Sequence, residues 1–258
     1  MKKFISFALF ILMATSGFAQ TKVHAHNDYV QNEPFVGAYK ARADQIEVDV
    51  FLVGNSLMVA HSKKEIDPKK TLNKLYLDPI ASYFKQYNSK VSEDKKYTFS
   101  LMIDVKENWN AVYPVLKREI EKYGDVFNRS KNKYAIQIVI SGNRPADSTF
   151  HTYPTWLFFD GLPNISYAKK DLTRVSMISD NFAIYSKWQG SGYIHSDDQQ
   201  KLEDIIKQAK KLKKPVRFWG APDKEDSWIM QLKIEVGIIN TDNVERVKYA
   251  IKDFKVKR

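Results

Sequence analysis

Eight short runs rich in apolar and β-branched residues recur along the chain, most of them separated by segments with helical spacing. This alternation constrains the fold more than any other feature. The runs cover 22–26, 45–52, 99–106, 136–141, 156–160, 175–180, 216–219 and 237–242, and helical spacing covers 33–42, 71–87, 111–123, 197–212, 227–235 and 244–254. Eight strands alternating with helices predict an α/β chain folded as a single (β/α)8 barrel of the TIM type, spanning residues 20–258. The connections 143–155 and 161–174 carry little helical signal, so an irregular flank is expected around strands four to six. After the second run, a turn at Gly54-Asn55 and a short run at 57–61 read as a hairpin on the C-terminal rim, where barrel enzymes keep their sites.

The first residues differ from the rest. Lys2 and Lys3 precede an apolar run from Phe4 to Ala14, followed by Ser16-Gly17-Phe18-Ala19, the pattern of a signal peptide cut after Ala19. An exported, periplasmic or secreted protein is expected. The apolar run is shorter than the roughly 20 residues needed to span a bilayer. The chain has no Cys, which excludes thiol catalysis and anchoring through a lipidated N-terminal Cys. Its 258 residues suffice to bury a core without disulfides. A net charge of +11 favours anionic substrates or surfaces. The densest cluster, Lys207, Lys210, Lys211, Lys213 and Lys214, falls at a predicted helix end, where cations complement the helix dipole; it reads first as a solvated face and second as an anion-binding surface.

Side chains alternate faces along a strand, and Gln45-Ile46-Glu47-Val48-Asp49-Val50-Phe51-Leu52 uses that alternation to put Glu47 and Asp49 on the face opposite Ile46, Val48, Val50 and Leu52. The apolar face packs on helices, so the two carboxylates face the barrel interior. Buried acids need a cation or a basic partner, and Mg²⁺ or Ca²⁺ suits such oxygen ligands. The bland reading is a pairing with an inward Lys or Arg. In the third strand Asp104 and Lys106 share the inward face, Asp104 as a third metal ligand and Lys106 as a contact to a phosphoryl oxygen; a plain Asp–Lys pair is the alternative.

The first strand carries His24 and His26 on one face, and His61 ends the rim hairpin. An imidazole near its ordinary pKa serves as acid or base at neutral pH. His151 and His195, in irregular loops, read as structural. Arg217 and Trp219 lie opposite Val216 and Phe218, as an anion contact and an apolar wall. Asn240 and Asp242 share the inward face of the last strand, and Arg144 follows strand four as another anion contact.

The strings His24-Ala25-His26-Asn27-Asp28-Tyr29, Ile46-Glu47-Val48-Asp49-Val50-Phe51-Leu52 and Val59-Ala60-His61 resemble the PLC-like phosphodiesterase superfamily, which contains glycerophosphodiester phosphodiesterases and bacterial phosphatidylinositol-specific phospholipases C. More narrowly they resemble its branch with His-Ser/Ala-His-Asn-Asp-Tyr at the first strand. Leu75-Tyr76-Leu77-Asp78-Pro79, Ile103-Asp104-Val105-Lys106, Ser141-Gly142-Asn143-Arg144-Pro145, Arg217-Phe218-Trp219 and Ile239-Asn240-Thr241-Asp242 fit that branch too. The resemblance implies a His/His acid–base pair, His26 and His61. It also implies a metal-binding set of Glu47 and Asp49 with Asp104 as third acid. Asn27 and Asp28 stand where the superfamily has Arg and Gly. The expected function is metal-dependent hydrolysis of a phosphodiester, either a small molecule or a lipid headgroup rather than nucleic acid. Two rivals remain: an amidohydrolase-like metal hydrolase with His24 and His26 as ligands, which would also need His on strands five and six, and a non-catalytic anion-binding barrel.

Overall fold

The computed structural model describes residues 20–257, so the expected signal segment 1–19 lies outside the described residues. The strands are β1 (Lys22–Ala25), β2 (Gln45–Val53), β3 (Ser56–Val59), β4 (Ser100–Val105), β5 (Gln137–Gly142), β6 (Leu157–Gly161), β7 (Val175–Asn181), β8 (Val216–Trp219) and β9 (Ile238–Thr241). They form one sheet in the order β1-β9-β8-β7-β6-β5-β4-β2-β3, and a further β1–β2 pairing closes it. Eight strands are parallel; β3 folds back antiparallel on β2, with Val50 opposite Val59, which is the hairpin expected from Gly54-Asn55. The result is a closed eight-stranded parallel barrel.

The registers fix what each strand turns inward. Glu47 is level with Met102 and Asp49 with Asp104, and Asp104 is level with Ser141 on the next strand. The outward set, including Ile46, Val48, Val50, Leu101, Ile103, Ile138 and Ile140, is buried against the helices in one continuous apolar cluster. Inside the barrel a second, small cluster of Met102, Val139, Met177 and Ile238, with Phe158 against it, fills the lower axis. Above that plug the inward positions turn polar, so the barrel's upper half is a site rather than a core.

Helices α1 (Val36–Lys40), α2 (Asp78–Gln86), α3 (Trp109–Glu121), α4 (Lys169–Leu172), α5 (Ser196–Lys211), α6 (Glu225–Lys233) and α7 (Val244–Val256) surround the barrel. Asn108 and Asn243 cap α3 and α7 by accepting from Asn110 N–H and Arg246 N–H. The helix expected over 33–42 is shorter than its periodicity: Pro34 precedes Phe35, which sits at φ 64° with its N–H held by the Asp28 carboxylate, and α1 starts only after it. The helix expected over 71–87 is broken into a π-helical turn, Asn73–Leu77, followed by α2. Pro79 has no N–H to give the carbonyl of Leu75, so the regular ladder fails there. The flank after β5 and β6 is irregular as expected, with a 3-10 stretch at Asp147–Thr152 and only the four-residue α4. Among the described residues no helix is long and apolar enough to cross a membrane.

Candidate active site at the C-terminal end of the barrel

A cavity of about 410 Å³ opens at the C-terminal ends of the strands. It brings together His26, Asn27, Glu47, Asp49, His61, Asp104, Lys106, Arg144, Arg217 and Trp219, along with Ser141, Gly142, Asp160, Leu162 and Ser179. Three residues named from the sequence do not line it. His24 and Asn240 are buried in the barrel beside Arg217, and Asp242 stands behind His26.

The carboxylates form the centre. One oxygen each of Glu47, Asp49 and Asp104 lies within 4.8 Å of the others. Lys106 Nζ lies 3.0 Å from Asp49 Oδ2 and 2.8 Å from Asp104 Oδ2. The remaining oxygens, Asp49 Oδ1 and Asp104 Oδ1, are buried with no hydrogen-bond partner. Burial of unpaired carboxylate oxygens is costly, so this donor set fits a hard divalent cation. Burial raises the Asp49 carboxyl above its usual range against the pull of Lys106, and Asp104 adds to the rise. Burial also works against the Lys106 ammonium, yet Asp104 and Asp49 outweigh it and hold the group charged.

Gly142 makes room for this arrangement. It sits at φ +70°, and a Cβ there would lie 1.9 Å from Asp104 Oδ1 and 2.6 Å from the Val105 carbonyl oxygen.

The two histidines are prepared differently. His26 Nδ1 is 2.8 Å from Asp242 Oδ1. Burial alone would lower its pKa, but the Asp242 hydrogen bond and the charge of Glu47 outweigh it and raise it. His61 Nδ1 lies 3.2 Å from the Tyr29 hydroxyl, whose single proton goes to Asp49 Oδ2 at 2.8 Å. The His61 contact is therefore Nδ1–H donating to the Tyr29 oxygen, a direction assigned from the network, and Nε2 lies outside it. Burial and Asp49 hold the Tyr29 proton far above the ordinary phenol range, so Tyr29 stays a donor to Asp49.

Below the carboxylates, Arg217 organises the floor. It is 3% exposed and donates to Glu47 Oε2 at 3.2 Å, Asn240 Oδ1 at 3.3 Å and Asp160 Oδ2 at 3.3 Å. His24 is fully buried: Nδ1 meets Gln45 Oε1 at 2.6 Å, and Nε2 meets Glu47 Oε2 and Arg217 Nη1. Burial opposes ionisation of Glu47, but His24 and then Arg217 hold its carboxyl well below the usual range. Burial and Arg217 pull His24 down while Glu47 pulls it up. Glu47 is ionised, because the guanidinium and imidazole converge on the same oxygen. With both ring nitrogens engaged by protein, His24 positions Glu47 and is not presented to the cavity.

The anion contacts are less open than their charges imply. Arg144 donates to the Asp160 carbonyl at 2.8 Å and pairs with Asp147 at 3.0 Å. Trp219, 43% exposed, forms part of the mouth. His151 pairs with Asp171 at 2.7 Å, and His195 caps α5 by accepting from Asp197 N–H, consistent with structural roles. Sequence reasoning missed Asp160, whose Oδ2 also accepts from Ser141 and Ser179, and the bridging role of Tyr29. Strand alternation that places Phe158 inward places Asp160 there too, and Tyr29 was already part of the first-strand string.

The family model of the AIM6-like phosphodiesterase domain matches residues 13–160. Among curated relatives, the altered inheritance of mitochondria protein 6 homolog of Arthroderma benhamiae is 27% identical, with 91% of this chain and 85% of that protein covered. The protein of that name from Eremothecium gossypii is 21% identical, with coverage of 88% and 68%. The fold is shared with a glycerophosphodiester phosphodiesterase from Parabacteroides distasonis, at TM-score 0.59 and 15% identity over 92% of this chain and 99% of that one. It is shared as well with a Ca²⁺-dependent phosphatidylinositol-specific phospholipase C from Streptomyces antibioticus, at TM-score 0.56 and 10% identity over 90% and 95%. With more than half its length matched, the chain belongs to the AIM6-like phosphodiesterase domain family.

Proposed function

We propose that this chain is an exported, divalent-cation-dependent phosphodiesterase in which His61 is the general base, His26 the general acid, and Glu47, Asp49 and Asp104 hold Ca²⁺ or Mg²⁺. The observation that carries this reading is the opposite preparation of two histidines on one cavity. His61 turns Nδ1 to Tyr29 and leaves Nε2 outside that contact, and Asp242 raises the pKa of His26 above its ordinary value. A bound cation would offset charge growing on the phosphoryl oxygens. His61 takes the proton of the attacking hydroxyl as the new P–O bond forms. His26 gives its proton to the leaving alkoxide as the old P–O bond breaks. Lys106, which bridges Asp49 and Asp104, would neutralise a non-bridging oxygen, and Arg217 holds Glu47 in place from below.

The mouth favours a phospholipid-headgroup substrate over a small soluble diester. Trp219 and Leu162 are exposed at the cavity, and the loops after β6 and β7 also expose Ile165, Ile184 and Tyr193. Residues 161–170 and 181–195 of those loops contain Lys169, Lys170 and Lys187 and no Asp or Glu. Such a surface suits an apolar chain beside an anionic group.

The test is cleavage by the purified chain of glycerophosphodiesters, phosphatidylinositol and bis-p-nitrophenyl phosphate, with EDTA and with added Ca²⁺ or Mg²⁺, alongside His26→Ala and His61→Ala. Activity that needs the cation and both histidines is expected. Cleavage that survives both substitutions, or ignores EDTA, would sink this mechanism. Binding without turnover would favour the anion-binding barrel.

A further inference from the structure

The opposite end of the barrel holds a second cavity, of about 420 Å³, at the N-terminal ends of the strands. Inward residues that begin the strands line it, among them Gln45, Ser100 and Gln137, and the apolar plug of Met102 and Val139 separates it from the candidate active site. Its charge is one-sided. Lys22, Lys96, Arg129 and Lys214 line it together with one acid, Asp44. That acid is spoken for: its Oδ2 accepts from Lys248 Nζ and from Val23 N–H.

Among the described residues the four cations have no carboxylate partner. Half-buried Arg129 donates Nε–H to the Ala135 carbonyl at 2.8 Å, Nη1 to Gln137 Oε1 at 3.1 Å, and Nη2 to the Phe99 carbonyl at 3.1 Å and Thr98 Oγ1 at 3.3 Å. All four acceptors are neutral. Half-buried Lys214 donates to the Val175 carbonyl. Exposed Lys22 and Lys96 form no ion pair among the described residues. Taking a cation partly out of water without a counter-charge is costly, and here it is done twice beside two more cations. Burial accordingly depresses the basicity of Arg129 and Lys214. Of the hydroxyls on the same walls, Ser100 and Thr173 already donate to Gln137 Oε1 at 3.4 Å and to the Lys170 carbonyl at 2.6 Å, and Ser176 adds a neutral donor. A fixed guanidinium, several ammonium groups and a hydroxyl around one concavity suit an oxyanion with several acceptor oxygens and more than one negative charge, as phosphate has.

We propose that the N-terminal mouth of the barrel is a second binding site, taking a phosphate-type oxyanion between Arg129, Lys214, Lys96 and Lys22. It is separate from the catalytic reading of the other end and does not depend on it.

Calorimetric titration of the full chain with inorganic phosphate, at fixed ionic strength, tests it. Three variants accompany the wild type: Lys22→Gln/Lys96→Gln, Lys22→Arg/Lys96→Arg, and Lys106→Ala to disable the upper cavity. Lys22 and Lys96 are exposed and form no ion pair among the described residues, so their replacement should leave the thermal midpoint unchanged. Saturable phosphate binding is expected to persist in Lys106→Ala and in the Arg double variant, and to weaken about tenfold in the Gln double variant. A parallel titration with glycerol 3-phosphate separates the sources: binding of both ligands marks a phosphomonoester site, and binding of inorganic phosphate alone marks a site for the free ion. The proposal is overturned if the Gln double variant binds phosphate within twofold of wild type, or if Lys106→Ala abolishes all binding.

Discussion

Gly142 lies so close to Asp104 that a single added carbon would displace the carboxylate: a Cβ at Gly142 would stand 1.9 Å from Asp104 Oδ1, with the Val105 carbonyl oxygen 2.6 Å away on another side. The Val105 oxygen is backbone and the Asp104 oxygen ends a side chain, so it is the carboxylate that yields. Gly142→Ala should therefore move Asp104 out of the acidic triad while the rest of the barrel stays folded. A loss of turnover on the order of 100-fold is expected, as misplacement of a reacting-site group by about 1 Å can cost that much. The far-ultraviolet circular dichroism spectrum should be unchanged. Full activity with weaker stability alone would show that Asp104 is not part of the site.

Lys106 offers a test in which two readouts move in opposite directions. Its ammonium bridges Asp49 and Asp104, so it competes electrostatically with any cation those carboxylates hold. Lys106→Met removes that competitor, and affinity for Ca²⁺ measured by calorimetry should rise by about tenfold. The same change removes the contact to a phosphoryl oxygen, and turnover should fall by roughly 100-fold. Equal loss of both would mean that Lys106 holds the carboxylates in place rather than opposing the ion.

How much of this was legible depended on period and locality. The barrel followed from strand-like and helical runs in alternation, and Glu47, Asp49, Asp104 and Lys106 followed from a side-chain period of two with apolar partners on the opposite face. These are local signals, and the structure keeps them. Arg217 was placed on the correct face, yet its partners come from β1, β2, β6 and β9, pairings that no local pattern specifies. The same is true of Tyr29, whose hydroxyl meets Asp49 and His61 from the loop after β1. The break between the π-helical turn and α2 was visible as Pro79, but the apolar periodicity around it runs on through the break.

The Asp242–His26 contact gives a pH prediction with a definite sign. The hydrogen bond that His26 donates to Asp242 and the charge of Glu47 raise His26 above its ordinary 6.5 in spite of burial. A general acid must be protonated, so activity should fall on the alkaline side as pH rises through the raised pKa of His26. Asp242→Asn keeps a hydrogen-bond acceptor but removes the charge, and the alkaline limb should move to lower pH. A nuclear magnetic resonance titration of the His26 ring should move the same way. A limb that stays put while the ring titration shifts would assign the acid role to another group.

Arg217 tests whether the polar floor supports the fold as well as the site. It is the cation shared by Glu47 and Asp160, both almost fully buried. Arg217→Met leaves two buried carboxylates without it, and stability should fall by about 3–5 kcal/mol in urea titrations near neutral pH. The pH dependence should change too. Glu47 has its pKa depressed in the folded state, so its contribution is present above its ordinary 4.5 and is lost as pH falls below that value. Without Arg217 that depression shrinks, and the variant should lose less stability than the wild type on acidification from pH 5 downward. An equal acid-side loss in both proteins would show that His24 alone keeps Glu47 ionised.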